Sequence, residues 1–273
     1  MEGVSEMAYT AEYEVTSHDV DLNNHIEPSY LIRYLQETGN HQMRDRKPSY
    51  FELLDEGKTL VLIRISVEIE KQLHQYDRFT VRTWTCPPKR ATLRRCWDVL
   101  RDGEVCARAY SEWALVDYRT KKLLTTGDVD FSHYESGKLI DMNIPLKFHF
   151  PKKMNFTEAG SAHIYYSDVD MNRHMNNTNY SNLVWRYIPG VEGKEVTSIN
   201  IRFMKEAPLG SDLKITMTAA DPEMGKDPRA EELFAFRTEI NGQTNIEALI
   251  GVRKTNVLLE NLIAADTAVR TDH

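Results

Sequence analysis

A short polar sequence that occurs twice carries the residue types best suited to chemistry. Asp, Asn and His stand at alternate positions in residues 170–174 and again in residues 21–25, 149 positions earlier (174 minus 25). A carboxylate, an amide and an imidazole in one loop can activate a water molecule and hydrogen-bond to a carbonyl oxygen. The six residues are Asp170, Asn172 and His174 in the second copy and Asp21, Asn23 and His25 in the first.

Both copies also begin like a calcium-binding loop, with acidic or amide residues at alternate positions from Asp19 and from Asp168. An EF-hand loop requires glycine at its sixth position and a bidentate glutamate at its twelfth. The second copy has Arg173 and Asn179 at these positions, and the first has an asparagine and a tyrosine. Calcium binding is therefore excluded, and we expect no metal at either loop.

A purely structural role is the alternative for these loops. Asp and Asn before a helix ordinarily form caps and turns, and a duplicated scaffold would inherit them. Other catalytic patterns are missing from the sequence: it has no Gly-x-Ser-x-Gly, His-Glu-x-x-His, P-loop or dinucleotide glycine motif. The sequence thus gives no basis for a serine hydrolase, a metallopeptidase or a nucleotide-binding enzyme, and we expect no cofactor.

The elements that must position the two loops repeat as well. Apolar and aromatic residues recur at helical spacing over residues 30–38 and 180–187. Strand-like segments follow at 60–70, 78–85, 93–100 and 104–116, and again at 196–204, 213–219, 233–240 and 244–252. Asp102-Gly103 and Asn241-Gly242 mark hairpins at the same place in the two halves. This order predicts an α+β fold in which each half is a curled antiparallel sheet around one central helix.

Composition limits the class of protein. Of 273 residues, 41% are hydrophobic and 27% charged, no apolar run approaches the roughly 20 residues of a membrane span, and the acidic N-terminus lacks signal-peptide features. We therefore expect a cytoplasmic protein that does not associate with membranes. The net charge of −7 argues against nucleic-acid binding. Cys86, Cys96 and Cys106 are an odd number without a Cys-x-x-Cys pair, so we expect them to be buried apolar residues in a reducing compartment.

The repeat predicts four segments along the chain: an N-terminal domain over residues 1–135, a linker over 136–157, a C-terminal domain over 158–262 and a mobile tail over 263–273. Within the linker, residues 148–153 are expected to be extended chain outside the core. The tail has no periodic pattern.

The second loop resembles a motif of the acyl-acyl carrier protein (acyl-ACP) thioesterases. Residues 170–177 read Asp-Met-Asn-Arg-His-Met-Asn-Asn and are followed by Tyr180. The plant fatty acyl-ACP thioesterases and their bacterial relatives carry this motif in the second of two fused hotdog domains. Residues 202–207 resemble the family's next strand, and residues 35–38, Leu-Gln-Glu-Thr, resemble its central-helix motif. The resemblance extends over nearly the whole chain.

The resemblance implies a fold of two tandem hotdog domains and a catalytic set of Asp170, Asn172, His174 and Glu206. The activity it implies is hydrolysis of fatty acyl-ACP to free fatty acid and ACP, with the acyl chain held chiefly by the first domain. Ala207 stands where the plant members have cysteine, which excludes a cysteine nucleophile there and leaves hydrolysis by an activated water. Either Glu206 or Asp170 can be the general base.

Two other functions and the oligomeric state stay open at this point. A hotdog acyl-coenzyme A thioesterase and a non-catalytic acyl-binding hotdog protein are the alternatives, and a homodimer is possible. The partner that the resemblance implies is an acyl carrier protein bearing a fatty acyl chain. The basic residues Lys89, Arg90, Arg94, Arg95 and Arg101 either receive this acidic partner or form a solvated strand face.

The two copies are not expected to be equivalent. Aligning Asp77 with Asp212 places Lys71 opposite Glu206, and a one-residue slip would place Glu70 or Gln72 there. At the best alignment the first copy lacks the second carboxylate. We therefore expect its Asp-Asn-His loop to be structural.

Overall fold

The computed structural model describes residues 8–255, which form three α-helices and ten strands. The helices are α1 (Pro28–Asp45), α2 (Tyr50–Asp55) and α3 (Asn179–Trp185). The strands of the first half are β1 (Tyr9–Glu14), β2 (Lys58–Ile69), β3 (Arg78–Lys89), β4 (Thr92–Arg101) and β5 (Glu104–Asp117). Those of the second half are β6 (Thr157–His163), β7 (Lys194–Phe203), β8 (Asp212–Ala220), β9 (Glu232–Ile240) and β10 (Gln243–Lys254).

The ten strands form one antiparallel sheet in the order β1-β3-β4-β5-β2-β7-β10-β9-β8-β6. Read from its outer edge inwards, each half has the same order, so that β6 to β10 repeat β1 to β5. The halves join through β2 and β7, where Ser66 pairs with Asn200 at the centre of a five-pair ladder. A pseudo-twofold rotation about this centre relates the pairs on its two sides, so that the pair Ile65–Ile201 maps onto the pair Val67–Ile199. The predicted α+β repeat is confirmed, with the added feature that the two sheets are continuous.

All eight predicted strands are present, whereas the first strand of each half was not predicted. β1 and β6 are the two edge strands, and β6 has the sequence Thr-Glu-Ala-Gly-Ser-Ala-His, which contains no β-branched residue after the first. Its Gly160 allows close packing, because a Cβ there would lie 2.6 Å from the ring of Tyr187. Helix α2 was also missed, although Ser49 and Glu52 form a capping box at its start.

The main core lies on the face of the sheet that carries the helices and runs through both halves. Because side chains alternate along a strand, neighbouring residues belong to opposite faces. Trp97 faces this core, whereas Cys96 belongs to a cluster on the other face. The predicted hairpin residues Asp102-Gly103 and Asn241-Gly242 all have positive φ, as a type I′ turn requires.

The segment between the halves packs against the sheet, which corrects the expectation for residues 148–153. Phe148 is buried against Leu233, Ala235 and Leu249 on the face opposite the helices. Ile140, Met142 and Leu146 cover the cluster around Trp84 on the same face in the first half. Residues 129–156 contain neither helix nor strand, and apolar side chains at irregular spacing hold them in place.

The structure bears on three further predictions from the sequence: the state of the cysteines, the segment boundaries and the absence of a membrane span. The cysteines are buried and unpaired, as expected. The predicted domain boundaries stay a prediction, and the predicted mobile tail lies outside the described residues. Between residues 8 and 255, no helix is both long enough and apolar enough to cross a bilayer.

A buried carboxylate joins three parts of the chain. Glu68, on β2 at the junction of the halves, is fully buried. Its oxygens accept hydrogen bonds from the Asn143 N–H at 2.8 Å and from Arg229 Nη2 at 2.7 Å. Arg229 also lies 3.0 Å from Asp227. Glu68 thus ties β2 to the connecting segment and to the second half.

We expect Arg229→Met to lower the free energy of unfolding by about 3–5 kcal/mol, because the change leaves the Glu68 carboxylate buried without its cation. Urea denaturation followed by circular dichroism measures this. The double variant Glu68→Gln/Arg229→Met removes the stranded charge and is expected to recover part of the loss. A single variant as stable as the wild type would show that the contact does not hold the halves together.

Candidate active site

The second polar loop is a tight turn shaped by its own aspartate. Asp170 N donates to the His174 carbonyl at 3.0 Å, and Asp170 Oδ1 accepts from the Asn172 N–H at 2.8 Å. Arg173, between them, has a φ of +65°. The Asp170 carboxylate therefore fixes the conformation in which Asn172 and His174 are presented, and the side chain of Asn172 makes no hydrogen bond within residues 8–255.

The structure brings His174 and Glu206 together. His174 Nε2 lies 2.9 Å from Glu206 Oε2, and the two side chains are 25% and 48% exposed. The contact follows from the backbone, because Met175 N donates to the Ala207 carbonyl at 2.8 Å. An imidazole and a carboxylate this close together at a solvent-accessible position can orient and activate a water molecule.

A buried asparagine that the sequence analysis missed supports Glu206 from behind. The carbonyl of Asn245, on β10, accepts from the N–H groups of both Met204 and Lys205. Its side-chain amide donates to the Lys205 carbonyl and to the Tyr180 hydroxyl, and burial raises the pKa of Tyr180 to about 12. Asn245 thus connects the backbone before Glu206 to α3. The feature that marks Asn245 is the complete burial of an amide inside a strand, and the sequence does not show this burial.

The backbone hydrogen bonds also correct the alignment of the two halves. Ile26 N donates to the Leu73 carbonyl just as Met175 N donates to that of Ala207, both at 2.8 Å. Leu73 is therefore equivalent to Ala207, and Gln72 to Glu206, 134 positions apart (206 minus 72). The expected equivalence of Lys71 and Glu206 is wrong by one residue. The first copy does lack the second carboxylate, because an amide occupies its place.

The first copy is closed by the other half of the molecule. Its side chains at the positions of Asn172, His174 and Glu206 all contact residues 192–196. Asn23 Nδ2 donates to the Glu192 carbonyl at 2.8 Å, and Gln72 Nε2 donates to the Val196 carbonyl at 2.7 Å. His25 Nε2 lies 3.6 Å from Glu195 Oε2, and burial lowers the pKa of His25. In this copy Asn23, His25 and Gln72 are buried, and they bind the second half instead.

Two cavities lie along α1. One, the apolar cavity, has a volume of about 100 Å³ and lies in the first half. Its apolar and aromatic lining residues are Met43, Tyr50, Leu60, Leu93, Trp97, Trp113, Phe131 and Tyr134. The other, the polar cleft, has a volume of about 380 Å³ and extends from Tyr13 and Arg33 to Asn176 and Thr178 of the second half. Gln36 and Asn40 line both, so the two are adjacent.

The predicted catalytic residues line neither cavity. Asn176, in the polar cleft, is two residues beyond His174, so this cleft reaches the segment that follows the catalytic loop. Leu60, which lines the apolar cavity, is on β2, and β2 pairs with β7 from Arg64 to Glu68.

The predicted basic cluster does not form one surface. Arg94 and Arg95 are neighbours on β4 and point to opposite faces, and Arg95 is buried. Arg95 borders the apolar cavity, where burial lowers the pKa of its guanidinium to about 10. Arg101 is paired with Asp77, which leaves Lys89, Arg90 and Arg94 on the outside.

Comparison with known proteins identifies the same architecture. Residues 6–129 match the acyl-ACP thioesterase N-terminal domain, and residues 152–254 match the acyl-ACP thioesterase C-terminal domain. An oleoyl-acyl carrier protein thioesterase of Arabidopsis thaliana is 26% identical over 243 residues, which are 80% of this chain and 66% of the relative. A palmitoyl-acyl carrier protein thioesterase of Gossypium hirsutum is 22% identical over 79% of this chain and 56% of its own length. The chain thus spans about two thirds or less of these plant relatives.

Solved structures show the same fold. An acyl-ACP thioesterase from Bacteroides thetaiotaomicron superposes with a TM-score of 0.76 at 21% identity, over 90% of this chain and 98% of the other. The 12:0-ACP thioesterase from Umbellularia californica superposes with a TM-score of 0.77 at 18% identity, over 91% and 95%. The predicted pair of tandem hotdog domains is confirmed. On the two domain matches, which together cover most of its length, the chain belongs to the acyl-ACP thioesterase family.

Proposed function

We propose that this protein hydrolyses the thioester of a fatty acyl chain carried by acyl carrier protein and releases the free fatty acid. The contact between His174 and Glu206 carries the proposal: it is solvent-accessible in the second copy, and in the first copy a buried glutamine replaces the glutamate. Family membership supports the substrate class. The catalytic set is the predicted one, namely Asp170, Asn172, His174 and Glu206.

Glu206 is the general base in this mechanism, and Asp170 is a positioning residue. One carboxylate oxygen of Asp170 accepts a hydrogen bond from the Asn172 N–H, whereas the half-exposed carboxylate of Glu206 lies 2.9 Å from His174 Nε2. Glu206 takes a proton from water as the water oxygen bonds to the acyl carbon. The C–S bond then breaks, and the proton passes to the departing thiolate. The products are the fatty acid and the free thiol of the carrier.

Support for the oxyanion comes from groups that the first copy lacks or has buried. The free side-chain amide of Asn172 can donate to the thioester oxygen, whereas Asn23 is committed to Glu192. Asn176 N donates to the Asp168 carbonyl, and Glu27 N donates to the Asp19 carbonyl in the same way. Asn176 and Glu27 are therefore equivalent, and so are the residues that follow them. These are Asn177 and Pro28, and proline has no N–H to offer. We assign the second oxyanion donor to the Asn177 N–H.

The apolar cavity is the site for the acyl chain in this proposal. Aromatic and aliphatic side chains line most of it, and it lies in the first half, where Leu60 belongs to β2, the strand that pairs with β7. Burial of methylene groups there supplies binding energy of about 0.8 kcal/mol for each one. The first half would thus bind the chain, and the second would supply the chemistry.

A hydrolysis panel tests the proposal against its alternatives. Acyl-ACP and acyl-coenzyme A substrates are compared across chain lengths with one enzyme sample. A higher kcat/KM for acyl-ACP than for acyl-coenzyme A supports the proposal. The reverse result would show that the protein is an acyl-coenzyme A thioesterase. Binding of acyl chains without hydrolysis of any thioester would show a non-catalytic protein.

We expect Glu206→Gln to lower kcat by a factor of about 10² or more, because the amide keeps the size of the side chain but cannot accept the proton. His174→Ala and Asp170→Asn are expected to lower it severely as well. Steady-state kinetics on the preferred acyl-ACP measures the effect.

His25→Ala is the matched control, since it removes the equivalent imidazole from the closed copy. It is expected to keep most of the activity while lowering the melting temperature, because His25 is buried between the halves. Rates are compared only at a temperature at which circular dichroism shows both variants to be folded. If His25→Ala abolished turnover and His174→Ala did not, the active site would belong to the first half.

We expect Leu60→Trp to shift the preference towards shorter acyl chains, because the larger side chain fills part of the apolar cavity. The kcat/KM for the longest chain that the wild type hydrolyses well should fall about tenfold or more, with little change for the shortest. Leu60→Ala is the companion variant and should favour longer chains. An unchanged chain-length profile in both variants would place the acyl chain elsewhere.

A further inference from the structure

One surface of the second half differs systematically from its counterpart in the first. It surrounds the catalytic loop and consists of residues on that loop, on the backbone before Glu206 and on the turn after it. We call it the docking face. Its residues are Tyr166, Met171, Arg173, Met204, Lys205 and Leu209.

The docking face is held together by backbone hydrogen bonds around the active site. Leu209 N donates to the Arg173 carbonyl at 3.1 Å, which places these two exposed residues side by side. Met204 N and Lys205 N both donate to the Asn245 carbonyl, so the chain bulges outwards immediately before Glu206. Met171, Arg173, Met204, Lys205 and Leu209 are therefore on or next to the backbone that positions the catalytic dyad, and Tyr166 is in the turn that leads into the loop.

Apolar side chains on this face are unusually exposed. Tyr166 is 85% exposed and Met171 is 71% exposed, while Met204 and Leu209 are each about two-fifths exposed. Contiguous apolar groups on a surface mark an interaction site more often than single ones do. Exposed apolar side chains on the segments that carry a catalytic dyad are suited to a macromolecule that delivers its cargo there.

The pseudo-twofold relation supplies an internal comparison. The same backbone positions in the first half carry Ser17, Leu22, Asn24, Glu70, Lys71 and Gln75. Leu22 is also exposed, but the tyrosine, the second methionine and the leucine have polar counterparts. Because the two halves share a fold, the fold itself does not require these apolar side chains.

Charge differs in the same way. In the first half Lys71 pairs with Glu104, and Glu70 pairs with Arg108. In the second half neither Arg173 nor Lys205 has an ion-pair partner within residues 8–255. The acidic groups closest in sequence are engaged: Asp170 accepts from a backbone N–H, and Glu206 contacts His174. The docking face thus presents two uncompensated cations in a chain of net charge −7.

We propose that the docking face binds the acidic acyl carrier protein, with Arg173 and Lys205 facing its carboxylates and the four apolar residues forming the centre of contact. The inference rests on the proposed function and adds the surface that binds the carrier protein. The partner is inferred from charge complementarity. The net negative charge of this chain repels an acidic protein, whereas the two cations of the docking face attract it. Free coenzyme A, which is much smaller, would not need a patch of this extent.

The test compares two substrates with the same acyl group, acyl-ACP and acyl-pantetheine, on the full-length protein. The variant is Arg173→Asn/Lys205→Gln. Asparagine is chosen because Asn24 adopts φ +61° at the equivalent position, so the turn is kept. We expect kcat/KM for acyl-ACP to fall about tenfold at low salt, with a weaker salt dependence than in the wild type. Hydrolysis of acyl-pantetheine should stay within about twofold of the wild type, because that substrate makes no protein–protein contact.

Lys89→Gln/Arg90→Gln is the matched control, with the same loss of charge at two exposed residues of the basic cluster in the first half. It should leave both substrates unaffected. A selective loss on acyl-ACP in this control instead of in the docking-face variant would overturn the proposal, as would equal loss on both substrates in the docking-face variant. If the wild type hydrolysed acyl-pantetheine but never acyl-ACP, the proposed function itself would fail, a result distinct from either of these.

Tyr166→Ser tests the apolar part of the face, because serine is the residue at the equivalent position of the first half. It should weaken kcat/KM for acyl-ACP at low and at high salt alike, since an apolar contact is not screened. An unchanged kcat/KM in this variant would show that the apolar part of the docking face does not contact the carrier protein.

Discussion

The pairing of β2 with β7 is the contact on which the rest of the molecule depends. It joins two five-stranded sheets into one and relates them by a pseudo-twofold axis near Ser66 and Asn200. Each polar loop follows an edge strand of its own half and lies close to the end of a central strand, β2 or β7. Any movement at this pairing would therefore change both the closed copy and the open copy.

The two copies keep one backbone and differ in chemistry. Asn24 and Arg173 have φ values of +61° and +65°, and in each loop an aspartate accepts the N–H two residues on. The turn thus survives wherever the aspartate does, regardless of catalysis. Three substitutions distinguish the copies: the first has an amide for the glutamate, Pro28 in place of Asn177, and Cys106 in place of Asn245. Similarity of the loops alone is therefore no guide to which one is active.

The sequence predicted the repeated part of the fold well, because period-2 strands and positive-φ turn residues are local signals. It failed where the outcome depends on partners distant in the chain. The edge strand β6 is too polar to be recognised without β8, the strand it pairs with. β1 has Tyr9, Ala11 and Tyr13 at alternate positions, a period-2 signal that was missed. The equivalence of Gln72 with Glu206 was missed by one residue, because bulges and turn lengths are not visible in sequence. Phe148 was placed outside the core because its partners, Leu233 and Leu249, lie far along the chain.

The site itself was predicted in its residue types but not in its asymmetry of access. Burial of the first copy has a physical consequence for the second. Asn23, His25 and Gln72 satisfy polar groups of residues 192–196, and such contacts between the halves stabilise the pair as a unit. The second copy leaves the side chain of Asn172 without a hydrogen-bond partner among the described residues and half of Glu206 exposed, an arrangement that contributes little to stability. Functional sites commonly sacrifice stability in this way. Duplication allows one loop to hold the halves together, so that the other can remain open.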